Sequence, residues 1–248
     1  MSIFKRLFGE KNKEKQESSK EENVTFSAGT MSQSDLDKMK VGDVITLGNE
    51  KEAEVKYDSV WIEASENPFK IRIFDCREYA LKMISTTQNS DVARQFIESR
   101  NSDGKEYIGK FPENGVKIEV NLNFDTEGKQ LAEGPVFKST TMEEKWDIYK
   151  YANFLFFVRS WTGELVYFTN YIPTQKGFKV DVIVVNDTKI DEEDPHFELK
   201  VVEFLIHSYV LGYPVPHPIP KALEDHENII LNYSFSMFGN RGLYASYE

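Results

Sequence analysis

ANFLFFVRSW at residues 152–161 and ELVYFTNY at residues 164–171 decide the fold, and only Thr162 and Gly163 stand between them. Two apolar, aromatic-rich runs joined by so short a Gly-containing link predict a tight antiparallel hairpin. With a two-residue turn, Trp161 faces Glu164 and Arg159 faces Val166. Arg159 and Trp161 then share a face of the sheet, with Glu164 diagonally within reach. A guanidinium stacked on an indole and paired with a carboxylate is a compact polar-aromatic group. It serves either as a contact for an anion or peptide or as a clasp that holds the hairpin tip. Arg159, Trp161 and Glu164 are therefore the first binding candidates.

The runs on either side extend the same theme. Residues 116–124 alternate, with Val116, Ile118, Val120, Leu122 and Phe124 apolar and Lys117, Glu119, Asn121 and Asn123 polar. That period of two predicts a strand with one wet face. Residues 178–185 read FKVDVIVV, a strand expected to turn Phe178, Val180, Val182 and Val184 to one side. Residues 41–47, 52–62, 69–74 and 134–141 read as further strands. A turn of helix is expected at 34–39, capped by Ser34. A helix capped by Asn89 or Ser90 is expected to run to about Glu98, burying Val92, Ala93, Phe96 and Ile97.

The strongest helix signal follows Asp194, read as the N-cap, with Pro195 at the first helical position. The helix is expected to end near Leu211, with Gly212 as a left-handed cap and Pro214 preventing continuation. Residues 214–220, PVPHPIP, must be extended, and their prolines leave no regular hydrogen-bond ladder. Residues 229–237 and 243–247 read as a last pair of strands around a glycine-rich turn. Many strands, few helices and hairpin connections define an α+β fold, mainly antiparallel sheet with a few packed helices.

The chain has 248 residues, 40% of them hydrophobic and 13% aromatic, which is ample for a core. Residues 1–22 read as a flexible charged tail. Residues 23–130 and 131–248 read as two α+β regions, although the stretch 128–135 equally suits a hairpin loop within one domain. Near the start, Ile3, Phe4, Leu7 and Phe8 fall on one face of a short helix, a candidate membrane contact. A frayed terminus is the competing reading. The formal charge of −11 disfavours nucleic-acid phosphate and suits a basic protein partner. Cys76 is the single cysteine, so no internal disulfide forms. A cytoplasmic protein is expected, since no export signal is recognised.

No conventional catalytic set stands out. The four histidines, His196, His207, His217 and His226, show no metal-ligand spacing, and neither metal nor cofactor is expected. Glu203 precedes His207 by one helical turn and is placed to orient it, as a general base or as a surface pair. His217 lies in the proline-rich loop, a candidate binding lip. Arg241 lies in the turn 238–242, which lacks the dinucleotide-binding spacing. Cys76 beside Arg77 reads as a buried structural thiol rather than a nucleophile. Ser85, Thr86 and Thr87 read as a turn or cap rather than a phosphate loop. The function expected is a non-enzymatic binding or interaction module, of which an acidic inhibitor or immunity-type protein is one form. A hydrolase or transferase with a site assembled from distant loops is the alternative.

Overall fold

A computed structural model of the chain describes residues 59–190, 194, 196–223 and 226–247. The expected tail, the turn of helix at 34–39 and the strand at 41–47 lie outside these residues. The fold is α+β. Its main sheet has seven strands. Six of them run in the order β3 (Gly115–Asp125), β9 (Gly177–Asn186), β7 (Leu165–Asn170), β6 (Phe154–Arg159), β5 (Trp146–Tyr151), β4 (Gly134–Phe137). The short β8 (Ile172–Pro173) also pairs with β9, and every pairing in this sheet is antiparallel. Position 130 falls inside this connectivity, since β3 precedes it and pairs along its length with β9.

A smaller sheet joins β1 (Trp61–Ile62), β2 (Ile73–Asp75), β11 (Tyr244–Ser246) and β10 (His217–Pro218) in that order. The β10–β11 pair is parallel. A short bridge thus forms inside the proline-rich stretch, where no ladder was expected. The bridge uses a non-proline amide of the stretch, Ile219 N–H, which reaches the Ser246 carbonyl at 3.0 Å.

The hairpin of β6 and β7 is present, but its turn is longer than two residues. Arg159 N–H donates to the Glu164 carbonyl and Gly163 N–H to the Arg159 carbonyl, both at 2.9 Å. The loop is therefore residues 160–163, with Gly163 in the left-handed region at φ 68°. Phe157 faces Tyr167 while Val158 faces Leu165, so Val166 is an inserted residue. Tertiary bonds account for the longer loop. Ser160 N–H and Oγ donate to the Lys145 and Glu144 carbonyls at 3.1 and 2.6 Å, and Trp161 Nε1 donates to the Met142 carbonyl at 2.8 Å.

Each strand shows two faces. On β3, Ile118, Val120, Leu122 and Phe124 pack on the main core as expected, whereas Val116 at the start of the strand is exposed. On β9 the expected face is corrected: Phe178 and Val180 enter that core, but then Ile183 and Val185 do. The register slips between Glu119 opposite Val182 and Leu122 opposite Val180. At the slip, both Asp181 and Val182 N–H donate to Asn170 Oδ1, at 2.9 and 3.0 Å, and the side-chain parity changes.

The main core lies between one face of the sheet and three helices, α1 (Arg77–Lys82), α3 (Phe197–Leu205) and α4 (Glu227–Phe238). The expected strand at 229–237 is thus α4. Ile230, Leu231, Ser234, Phe235 and Phe238 are buried at helical spacing, and packing of that stripe overrides the β-propensity of Ile, Tyr and Phe. Helix α3 begins at Phe197 and carries on through a π-helical turn, Ile206–Val210, to the left-handed Gly212. Asp194 is not its side-chain cap. It offers only its carbonyl, to Phe197 N–H at 3.1 Å.

A fourth helix, α2 (Ser90–Arg100), is capped by Asn89 Oδ1, which accepts from Asp91 and Val92 N–H at 2.9 and 3.2 Å. Phe96 is its buried residue, whereas Ile97 is exposed, contrary to expectation. Helix α2 approaches the hairpin loop at Ser99, which stands 3.5 Å from the Ser160 carbonyl. The turn that follows α2 covers part of the second sheet face, a smaller cluster of Tyr107, Tyr149, Phe156, Val158 and Phe168.

Candidate functional site

Arg159 ends β6 directly opposite Trp146 of β5, and its guanidinium lies over the indole, 4.8 Å from the ring centroid. From there it donates to the Ser236 and Met237 carbonyls at 2.8 and 3.0 Å. Trp146 Nε1 donates to the same Met237 carbonyl at 2.7 Å, and Tyr209 OH donates to the Phe238 carbonyl at 2.5 Å. These three carbonyls belong to the last turn of α4, where helix geometry leaves acceptors without intrahelical partners. Arg159 is thus a clamp on a helix end, with its positive charge at the negative end of the helix dipole.

The grouping expected from the hairpin is not the one formed. Arg159 stacks on Trp146 rather than Trp161. Glu164 meets Lys189 at 3.7 Å. The group that reaches towards both Arg159 and Trp161 is Lys145, the residue before β5. Its buried ammonium sits 4.3 Å from the Trp161 ring centroid and 4.8 Å from that of Phe235. It donates to Ser85 Oγ at 2.6 Å and to the Met142 carbonyl at 2.8 Å. Burial, and then the charge of Arg159, push its pKa down to about 8, while Glu143 opposes them. Ser85 is held in turn by its N–H, which donates to Glu143 Oε1 at 2.8 Å. Burial raises the Glu143 pKa, but the bonds from Ser85 N–H and the Thr141 hydroxyl outweigh it and leave the carboxyl below its ordinary value.

The remaining sequence candidates lie apart from this group. His207 is half-buried, with its ring 5.2 Å from Phe124 and 6.3 Å from Tyr213. Its Nδ1 is buried without a hydrogen bond, and no bond joins it to Glu203. Burial lowers its pKa, with Glu203 acting against that. His217 is fully buried against Phe204 and Phe238, and its Nε2 has no partner. Burial holds its pKa down at about 4. Its ring is enclosed and forms no lip. Arg241 donates to the Ser208 carbonyl at 3.2 Å and lies over Phe137 and Tyr209. Cys76 is buried with its Sγ 3.6 Å from Ser234 Oγ, and burial drives the thiol up to about 12. An ionisation so disfavoured leaves it a weak nucleophile.

A second feature lies on the other sheet face. Phe168 is buried there, with Phe154 stacked on it at 4.9 Å and Phe111 set edge-on at 4.8 Å. Phe111 is 61% exposed and Phe154 39%. The two solvent-facing rings converge on one buried ring, so their exposed edges belong to one patch.

Reading the sequence missed Lys145 and Phe111, and it set Ser85 aside as part of a turn or cap. Lys145 follows Glu143 and Glu144, and such a charge run normally marks a solvated loop. Phe111 stands alone between Lys110 and Pro112, outside any periodic run. Only the contact with Phe168 gives it meaning. Among the described residues no group of three or more His, Cys, Asp or Glu side chains is placed to hold a metal ion. No helix among them is long and apolar enough to cross a membrane. Comparison with protein-family models, curated proteins and solved structures found no match.

Proposed function

We propose that the chain acts principally as a protein-binding module, and that its contact surface is the aromatic patch of Phe111 and Phe154 over Phe168. The observation that carries this reading is the exposure of both outer rings while they pack on the same inner ring. Single exposed apolar side chains are ordinary. Convergent aromatic exposure is the composition of interface cores, where a few rings supply most of the affinity. The formal charge of −11 supports a basic partner, brought in by long-range attraction before the rings engage.

The test compares wild type with the double variant Phe111→Ser, Phe154→Ser as baits in the native host. A protein kept by wild type is then purified and its affinity measured for both. The reading expects a basic partner whose affinity drops by more than fivefold, about 1 kcal/mol. Equal affinity for both baits overturns it. Both positions are exposed, so the variant should keep the wild-type thermal midpoint within a few degrees.

A further inference from the structure

Lysine is a costly residue in the slot between Trp161 and Phe235. An apolar side chain would fill the same space without giving up the hydration of an ammonium. The lysine that occupies it points Nζ at a serine hydroxyl oxygen 2.6 Å away. Ser85 is half-exposed, and among the described residues its hydroxyl proton has no acceptor. Its backbone is fixed by the bond from its N–H to Glu143. A serine held at hydrogen-bond distance from a desolvated amine is one of the arrangements that activates a hydroxyl.

We propose that Ser85 is a nucleophile and Lys145 its base, acting on carboxylic esters with an apolar acyl group. In the ground state the ammonium donates to Oγ. When Nζ loses its proton the bond reverses, and the serine O–H donates to the amine lone pair. Oγ then attacks the ester carbonyl carbon and a new C–O bond forms. The hydroxyl proton passes to Nζ, and the ammonium beside the tetrahedral intermediate offsets the charge on its oxygen. Collapse breaks the bond to the alkoxy leaving group, which takes the proton from Nζ and departs as the alcohol. Water then gives a proton to Nζ as it bonds to the acyl carbon, and the C–Oγ bond breaks with Oγ taking that proton from Nζ, which releases the acid and restores both Ser85 and the free amine. The apolar preference follows from Ile84, next to Ser85 and 76% exposed, and Leu81, 67% exposed.

Two charged groups face Lys145. Glu143 favours the ammonium and Arg159 disfavours it. With a pKa of about 8, roughly one molecule in ten carries the free amine at pH 7. The site is separate from the aromatic patch, and its reactivity is read without any protein partner.

The probe is an alkyl fluorophosphonate, which Oγ attacks at phosphorus with loss of fluoride, as it would attack a carbonyl. The full chain is treated across pH 6–10 and the adduct located by peptide mass mapping. The expected result is a single adduct on Ser85, formed at a rate that rises with pH and levels off past a midpoint near 8. Ser85→Ala should remain unlabelled, and its thermal midpoint should fall modestly because the buried ammonium loses one of its two acceptors. Lys145→Arg, which keeps the charge and cannot serve as base, should lower the rate at least tenfold. No adduct on Ser85 at pH 9, or equal rates in wild type and Lys145→Arg, overturns the proposal. Should Lys145→Arg fail to fold, the wild-type profile decides. A midpoint near 8 supports the pair, and a rate that follows hydroxide without levelling overturns it.

Discussion

Arg159 stands where two strands and a helix end meet, and its neighbours decide what it does. Opposite it is Trp146, and beyond it are the Ser236 and Met237 carbonyls. Both acceptors sit in the last turn of α4, so the side chain ties the hairpin to that helix. Arg159→Ala removes two charge-assisted hydrogen bonds and leaves the Ser236 carbonyl to find water, while the Met237 carbonyl keeps its bond from Trp146 Nε1. We expect stability to fall by about 2–3 kcal/mol, measured by urea unfolding. Arg159→Lys should recover little of this, because a single ammonium does not reproduce the two-pronged fork. A loss below about 0.5 kcal/mol in Arg159→Ala would show that the clamp is idle. The importance of Arg159 and the apolar character of its strand were legible in the sequence. Its partners were not, because they lie 77 and 78 residues further along the chain. For Lys145 nothing local gave a hint, since its burial comes from Phe235 and Trp161 arriving from elsewhere.

At the scale of elements, what the sequence revealed depended on which face each segment buries. Strand β3 has one wet face, and its alternation could be read directly. Strand β9 is covered on both sides, with Ile183 and Val185 in the main core and Val184 in the smaller cluster. Its near-continuous apolar run therefore hid the slip at 181–182. Helix α4 was hidden for a similar reason. Its wet face is only a narrow line through Asn228, Asn232 and Ser236, and its aromatic and β-branched content mimicked a strand. The end of α4 carries the sharpest local constraint in the fold. Gly239 has φ 57° and ψ −137°, a region that only glycine occupies without strain. A Cβ there would stand 1.6 Å from the Glu143 carbonyl oxygen. That oxygen also accepts from Asn240 N–H at 3.2 Å, so the loop bearing Lys145 is pinned to the helix end. Gly239→Ala should cost about 3 kcal/mol or more, from strain and displacement together. It should also disturb the Lys145 site. A thermal midpoint within 2–4 °C of wild type, about 1 kcal/mol for a domain of this size, would mean that the loop yields easily.

Over the whole molecule the two sheets share one core, and His217 sits in it at the junction. Its strand pairs with β11 near the chain's C-terminal end, and its ring fills space between Phe204 and Phe238. A buried ring nitrogen without a partner is tolerable while the imidazole is neutral and costly once it is charged. The folded pKa near 4 lies below the ordinary histidine value of 6.5, so the unfolded chain binds the proton more readily. The sign follows directly. Stability is fully retained above pH 6.5, declines as pH falls from 6.5 towards 4, and is then lost by on the order of 3 kcal/mol. His207 is shifted the same way by burial and adds to the loss. Carboxyls such as Glu133 and Glu143, held below their ordinary 4.5, contribute only at lower pH. The window from 6.5 to 5 therefore belongs to the histidines. His217→Phe keeps the ring volume and removes both the orphaned nitrogen and the titration. We expect it to be near neutral in stability at pH 7.5, since replacing an unsatisfied buried polar group with an apolar one of the same shape costs little. Its urea midpoint should fall less than that of wild type between pH 6.5 and 5. If the two proteins lose stability in parallel across that window, His217 is not the group that makes the fold sensitive to acid.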